Sequence, residues 1–157
     1  MRLTSLADYA VVMMAAAARH GADGRLSATC LAEETGVPLP TAQKLMGRLA
    51  AAGLLSSARG TGGGFRLSRH PQGISLADII EAVEGPIAMT TCVDHARDHC
   101  ALDGHCQVKP HLGLVNELVR GALQGVSLAQ LSSPSPETGL SFSPAAPQAS
   151  GVSRVVQ

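Results

Sequence analysis

"VPLPTAQKLMGRLAAAGLLSSARGTGGGFRLSR", residues 37–69, is the stretch that decides the expected fold. Pro40 suits the first turn of a helix, and Leu45 and Leu49 lie one helical turn apart, so they share a face. Gly53 is a natural C-terminal stop, because glycine readily adopts the backbone conformation that ends a helix. The first half of the stretch therefore predicts one short helix.

A β-hairpin should follow that helix. The runs at 54–58 and 65–68 read as short strands, and the glycines at 62–64 between them tolerate a positive φ. Upstream, a second short helix is expected at 27–34, capped by its first serine and ended by Gly36. Two short helices joined by a glycine-containing turn, with a hairpin behind them, predict a winged helix-turn-helix.

The remaining segments predict a mainly α-helical chain. Of the 157 residues, 45% are hydrophobic and 2% aromatic, so the core must be aliphatic, which favours helices. Helices are expected at 5–19 and 75–85, each opened by a serine–aspartate capping box: Ser5 with Asp8, and Ser75 with Asp78. Residues 111–125 are predicted to form a helix with an apolar stripe at positions 112, 115, 118, 119, 122 and 123.

These patterns divide the chain into four parts, in a fold that is mainly α with a small hairpin wing. We expect a winged helix-turn-helix DNA-binding domain at 1–85, a cysteine-rich loop at 86–107, a helix at 108–131 and a disordered tail at 132–157. The helix at 108–131 is either a dimerisation helix or one that buries its apolar stripe against the chain's own core. The tail is rich in Ser, Pro and Ala and has no hydrophobic periodicity. Function should therefore lie in the first 131 residues.

The charge distribution favours a nucleic-acid partner. Net charge is zero, yet no acidic residue lies between Glu34 and Asp78, and that stretch carries five basic residues: Lys44, Arg48, Arg59, Arg66 and Arg69. Such a local surplus is typical of a phosphate-binding face, with a solvated basic surface as the alternative.

Six residues are candidates for contacts with DNA: Pro40, Thr41, Gln43, Lys44, Arg48 and Arg59. The first four lie in the N-terminal part of the predicted recognition helix, which meets base edges in the major groove. Gln43 can pair with adenine, and Lys44 can approach guanine or phosphate. Arg48, one turn further on, is expected to hold phosphate. Arg59 at the wing tip would reach a narrow minor groove or contact the backbone.

A polar stretch at 90–111, TTCVDHARDHCALDGHCQVKPH, concentrates soft metal ligands. Cys92, Cys100 and Cys106 are spaced C-x7-C-x5-C, without the close cysteine pair of a structural zinc knuckle. Longer spacings suit an iron–sulfur cluster, with zinc, free thiols or a redox disulfide as alternatives. A cluster needs a fourth ligand, which could be a carboxylate, a small molecule or a histidine: His95, His99, His105 or His111.

Four motifs occur together: the start MRLTSLADYAVVMMAAAA, the wing SSARGTGGGFRLSR, the helix ISLADIIEAVEGP and the three-cysteine loop. In this order they resemble the IscR/NsrR-type iron–sulfur winged-helix regulators, over residues 1–131. The resemblance implies a homodimer on a pseudo-palindromic double-stranded operator. It implies a [2Fe–2S] or [4Fe–4S] cluster on Cys92, Cys100 and Cys106 whose state sets DNA affinity. The opening residues are most similar to the subgroup associated with SUF-type cluster assembly genes, and repression is the expected mode.

One departure from the family pattern concerns the fourth ligand. The cluster-supply regulators carry a histidine three residues after the third cysteine, and this sequence has Lys109 there. The nitric-oxide-sensing relatives use an N-terminal aspartate from the other subunit, and Asp8 matches that position. The candidates are therefore Asp8, as ligand or as capping carboxylate, and His105 or His111. A nitric-oxide-sensing repressor is the corresponding alternative function.

Other classes of protein are disfavoured. The residues suggest no catalytic triad or carboxylate dyad, so the protein is not expected to be an enzyme. The apolar run YAVVMMAAAA is too short to span a bilayer, which favours a cytoplasmic protein with no membrane partner. A small iron–sulfur electron carrier or a zinc-stapled winged helix are the rivals, and the acid-free stretch counts against the first. Cys30 is expected to be a buried hydrophobe outside the site.

Overall fold

A computed structural model describes residues 3–21, 24–58, 63–90, 93 and 105–134. In chain order the elements found there are α1 (Ser5–Arg19), α2 (Ala28–Thr35), α3 (Leu39–Ala51), β1 (Leu55–Ala58), β2 (Gly64–Leu67), a 3-10 turn (Pro71–Gly73), α4 (Leu76–Glu84), α5 (Lys109–Gln124) and α6 (Leu128–Ser132). The expected fold class, mainly α with a β-hairpin wing, is confirmed. The predicted disordered tail lies outside the described residues from position 135 onward.

Helix α1 is the centre of the core. It contacts α2, α3, α4 and α6. Its buried side chains are mostly alanines, which let neighbouring helices approach closely, and Met13 and Met14 fill the space between them. The helix-turn-helix is built on this support, because Leu45, Met46 and Leu49 of α3 are buried as predicted.

The start of α1 differs from the predicted capping box of Ser5 and Asp8. The N-cap is Thr4, whose side chain accepts a hydrogen bond from the backbone N–H of Ala7. Thr4 is itself fixed by Glu84, which accepts from the Thr4 N–H at 3.1 Å and from its hydroxyl at 2.6 Å. This contact spans 80 residues, so the local pattern could not reveal it. Because Thr4 is the N-cap, Asp8 does not have the predicted capping role.

The wing contains a third short segment that the sequence did not predict. Strands β1 and β2 pair antiparallel, one residue away from the predicted boundaries, with Leu55 opposite Leu67. Leu26, just before α2, adds a bridge to Phe65 through two backbone hydrogen bonds of 2.7 Å. Gly64 makes this approach possible, because a Cβ at that position would lie 2.8 Å from the Leu26 carbonyl oxygen. The bridge ties the wing to the helix-turn-helix.

The segment 108–131 does not form one continuous helix. Helix α5 ends at Gln124, and α6 begins after Ser127, which forms its own capping box with Gln130. A backbone bridge between Ser75 and Ser127 then joins the start of α6 to the start of α4, and Leu128 is fully buried against the core. The chain after α5 therefore returns to the winged helix, because α6 packs on α1 and on the 3-10 turn.

Two smaller expectations have clear outcomes. The capping box of Ser75 and Asp78 is present with both reciprocal hydrogen bonds, at 3.1 and 2.9 Å. Cys30 is exposed on α2, contrary to the prediction that it is buried, because its helix turns Leu31 into the core instead. Among the residues that the structure describes, no helix is both long and apolar enough to cross a membrane.

Candidate nucleic-acid interface and cysteine segment

The N-terminal half of α3 presents a polar face to solvent. Pro40, Gln43 and Lys44 are exposed and Thr41 is half-buried, while the buried side of the same helix packs on the core. We call five exposed residues of this helix, Pro40, Gln43, Lys44, Gly47 and Ala51, the recognition face. They repeat at three- and four-residue steps, so they lie on one side of α3. The structure thus brings together the residues predicted to meet base edges.

Arg48 lies beside the recognition face but its guanidinium is engaged elsewhere. It is half-buried, and Nη1 donates a hydrogen bond of 2.8 Å to the backbone carbonyl of Val83 in α4. The predicted phosphate contact of Arg48 therefore competes with a contact inside the protein. Arg59, predicted at the wing tip, lies outside the described residues, whereas Arg66 and Arg69 are exposed near the base of the wing.

Gly47 is a helix-interior glycine with free space around it. It lies in the middle of α3, and a Cβ built there meets nothing within 4 Å. Replacing Gly47 with alanine should raise the free energy of unfolding by about 1 kcal/mol, because glycine costs about that much in a helix interior. Thermal unfolding of the two proteins at equal concentration measures the gain. A melting temperature lower than that of the wild type would contradict the open environment of this position.

The cysteine segment, residues 86–107, is described only at its two ends. Cys106 is a half-buried free thiol, and His105 beside it is exposed. His111 is exposed in the first turn of α5. Cys92, Cys100, His95 and His99 lie outside the described residues, and the predicted cluster site stays a prediction. Within the described ranges, no group of three or more His, Cys, Asp and Glu side chains could hold a metal ion.

Asp8 is an exposed carboxylate in the first turn of α1. Thr4 supplies the cap of that helix, so capping does not occupy the carboxylate of Asp8. Glu84, at the end of α4 and just before the cysteine segment, holds Thr4 in place. The start of α1 and the start of the cysteine segment are therefore neighbours.

Helix α5 holds the entry to the cysteine segment. The side chain of Asn116 donates to the Ile87 carbonyl and accepts from the Met89 N–H, both at 2.9 Å. Arg120 binds Glu81 of α4 with two hydrogen bonds, of 2.8 and 3.0 Å. These donors are the main reason that the pKa of the Glu81 carboxyl lies below its ordinary value; partial burial opposes them, and the Ile87 N–H supports them. The network joins α4, α5 and the cysteine segment.

The Glu81–Arg120 pair should make stability depend on acidity. Because folding lowers the pKa of Glu81, its contribution is fully present above the ordinary glutamate pKa of about 4.3 and is lost as pH falls through the lower folded value. Glu81→Gln should therefore lower the melting temperature at pH 7, and the difference from wild type should shrink below about pH 4. Thermal unfolding across this range measures it. A difference that stays constant with pH would rule out the charged pair as its source.

Three large apolar side chains of α5 are exposed to solvent. Leu114 is 59% exposed and Leu118 is 66% exposed, and Val115 lies beside them. We call these three residues the α5 stripe. The opposite side includes Arg120, which faces α4, and Asn116, which faces the entry to the cysteine segment. Of the six apolar positions predicted from the sequence, 112, 119 and 123 are half-buried, so the helix uses two different faces.

Some site residues were not identified from the sequence. Asn116, Glu81 and Arg120 act through contacts between residues 29 and 39 positions apart. Asn116 lies between positions 112 and 119 on the half-buried side of α5, and a polar residue within that otherwise apolar row was the one available signal. Its partners are backbone groups, which no residue pattern encodes.

Comparison with known proteins gives consistent results. Residues 3–134 match the Rrf2 family, described as "Iron-dependent Transcriptional regulator". The HTH-type transcriptional regulator IscR of Aliivibrio salmonicida is 32% identical over 131 residues, which cover 83% of this chain and 77% of that protein. The regulator of the same name from Photobacterium profundum is 33% identical over 131 residues, covering 83% of this chain and 75% of that protein.

Solved structures show the same architecture. IscR of T. potens superposes with a TM-score of 0.61 at 28% identity, covering 82% of this chain and 84% of that chain. CymR, the global cysteine regulator of B. subtilis, superposes with a TM-score of 0.64 at 23% identity, covering 84% of this chain and 96% of that chain. At that identity the likeness to CymR supports the fold alone.

Proposed function

Because this chain belongs to the Rrf2 family of iron-dependent transcriptional regulators, we propose that it binds operator DNA as a homodimer under the control of an iron–sulfur cluster. Membership of the family makes the chain a transcriptional regulator and not an enzyme, as predicted from the sequence. We further propose that it represses iron–sulfur cluster assembly genes, in the cytoplasm where the chromosome lies, since its relatives are named IscR.

The recognition face is the observation that carries the DNA-binding role. Gln43 and Lys44 project from the N-terminal half of the second helix of a helix-turn-helix, and the stretch around them has no acidic residue. In this motif the second helix enters the major groove, with its N-terminal residues nearest the bases. Gln43 would read adenine, Lys44 would contact guanine or phosphate, and Pro40 and Thr41 would line the approach. Arg59 of the wing would contact the minor groove or the backbone.

Titration of a promoter fragment by fluorescence anisotropy tests this interface. Gln43→Ala should weaken binding by about 1–3 kcal/mol and relax preference at one base position, which is the effect of losing one bidentate pair. Arg19→Ala is the control, because Arg19 is already paired with Glu34 at 2.9 Å and lies on no element assigned to DNA. Equal affinity of the Gln43 variant and wild type on every fragment would remove Gln43 from the base contacts.

The α5 stripe supports the homodimer. Three large apolar side chains on one solvent-facing side are typical of a surface that another subunit covers. A two-fold axis at α5 would apply the same patch to its copy, so that each stripe covers the other. The two recognition faces of the dimer would then contact two half-sites about one helical turn of DNA apart, which is the geometry of a pseudo-palindromic operator.

The donor set fits an iron–sulfur cluster. Cys106 is a free thiol, and Cys92 and Cys100 would complete a set of three thiolates, the ligands that such clusters prefer. When bound, a cluster supplies a centre that responds to iron supply, oxidants or nitric oxide. The uncommitted carboxylate of Asp8 is our candidate for the fourth ligand, donated from the other subunit, and the exposed His105 and His111 are the alternatives.

Contacts among α5, α4 and the cysteine segment support a coupling between these cysteines and the recognition face. Asn116 and the start of α5 hold the two ends of the cysteine segment, and Arg120 ties α5 to α4. A cluster bound to the three cysteines would hold the cysteine segment in one conformation. That conformation would favour one arrangement of α5 relative to α4. Since a ligand shifts an equilibrium only by its differential affinity for the two states, the cluster-bound dimer must differ from the apo dimer in this arrangement.

Spectroscopy of anaerobically purified protein tests the ligand assignment. Visible absorbance with iron and sulfide in the protein is expected, whereas a colourless, zinc-loaded protein would favour the zinc-stapled alternative. Asp8→Ala should alter the visible spectrum and speed loss of iron to a chelator, while His111→Ala should leave both unchanged. An unaltered spectrum in the Asp8 variant would remove Asp8 as the ligand and leave the histidines.

A further inference from the structure

The last turn of α4, residues 81–84, receives contacts from three other parts of the protein. Glu81 binds Arg120 of α5, and Glu84 binds Thr4 at the start of α1. The Val83 carbonyl accepts a hydrogen bond of 2.8 Å from Nη1 of Arg48, which lies in the last turn of α3. One helical turn thus connects the recognition helix to the helix that holds the cysteine segment.

The contact between Arg48 and Val83 is favourable on general grounds. The last four carbonyls of a helix lack intrahelical partners, and Val83 is the penultimate residue of α4. A guanidinium placed at that end also interacts favourably with the negative end of the helix dipole. The side chain of Val83 is buried, so the local backbone is held in place by the core, and Arg48 itself is half-buried.

From this contact we propose that Arg48 is a positioning residue. It sets the angle of α3 relative to α4, and through Arg120 relative to α5, instead of contacting a phosphate. The inference rests on the proposed DNA-binding role of α3 and identifies which residue transmits the state of α5 to it. Lys44, by contrast, is exposed on the recognition face and is the matched cation for a direct contact.

The salt dependence of DNA binding separates the two roles. Each phosphate neutralised by the protein contributes about 0.9 to the slope of log affinity against log salt concentration. Lys44→Ala should therefore reduce the slope by about 1. Arg48→Ala should weaken operator binding about tenfold, the loss of one charge-assisted contact, while the slope stays that of the wild type. Arg48→Gln provides the same comparison if the alanine variant does not fold, which thermal unfolding checks.

A second readout asks whether Arg48 couples α3 to α5. The ratio of operator affinities of the cluster-bound and apo proteins should fall toward one in Arg48→Ala and stay at the wild-type value in Lys44→Ala. Adding Arg120→Ala to Arg48→Ala should change that ratio no further, because both substitutions interrupt one connection.

The outcomes distinguish this inference from the function on which it rests. A slope reduced by about 1 in the Arg48 variants, with an unchanged affinity ratio, would show a phosphate contact and overturn the positioning role. Wild-type affinity in both the Lys44 variant and the Gln43 variant would instead remove α3 from the DNA interface. A ratio of one in the wild type itself would refute cluster sensing, and the salt slopes would still decide the role of Arg48.

Discussion

Arginine in place of Leu118 is expected to turn the protein into a monomer and to weaken operator binding by at least about 100-fold. Leu118 is the most exposed of the three residues of the α5 stripe. In a two-fold interface the substitution occurs twice, and each copy places a guanidinium against apolar side chains, which costs several kcal/mol without a partner. A monomer would also contact only one half-site, so it loses the gain that comes from linking two binding events.

Sedimentation velocity and anisotropy titration measure the two effects on the same samples. Gln124→Arg is the matched control, because it adds the same charge to an exposed position of α5 that lies outside the stripe. This control should remain dimeric and bind DNA at least as well as the wild type. A Leu118→Arg protein that sediments as a dimer and binds with wild-type affinity would place the dimer interface elsewhere.

Cys106→Ser should abolish retention of the iron–sulfur cluster. Thiolate is the ligand that these clusters prefer, and loss of one of three cysteines leaves only two protein thiolates for the cluster. Iron and acid-labile sulfide should fall to background in anaerobically purified protein, and visible absorbance should disappear. Because Cys106 is half-buried just before α5, the substitution should leave the melting temperature of the apo protein nearly unchanged.

Cys30→Ser is the matched control for that experiment. Cys30 is an exposed cysteine on α2, in a different part of the fold, so its loss should leave iron content and spectrum unaltered. Full iron and sulfide content in the Cys106 variant would remove this residue from the ligand set. Equal loss of iron in both variants would indicate a general effect of serine substitution and not a ligand role.

The elements that sequence patterns predicted correctly are those whose causes are local. Ser27 and Ser75 cap their helices through neighbouring backbone groups, and the glycine after α2 adopts the left-handed conformation that ends it. The buried side of α3 follows from helical periodicity. These features depend on residues within one or two helical turns, so they can be predicted from the sequence.

The features that the sequence did not predict depend on distant contacts. Glu84 binds the N-cap residue Thr4 from 80 residues away, and Leu26 joins the wing because Gly64 leaves room for its carbonyl. The hydrogen bond of Arg48 to the Val83 carbonyl, 35 residues away, was also not predicted from the sequence. A residue type limits what a side chain can bind, but the fold decides which partner lies within reach.

The most direct test of cluster control compares the operator affinity of one preparation before and after the cluster is removed. Anaerobic holoprotein and the apo protein made from it by chelation would be titrated against the same promoter fragment at one salt concentration. Coupling between the cysteines and the recognition face predicts a change in dissociation constant of at least about tenfold, equivalent to about 1.4 kcal/mol. Identical dissociation constants for the two forms would contradict it.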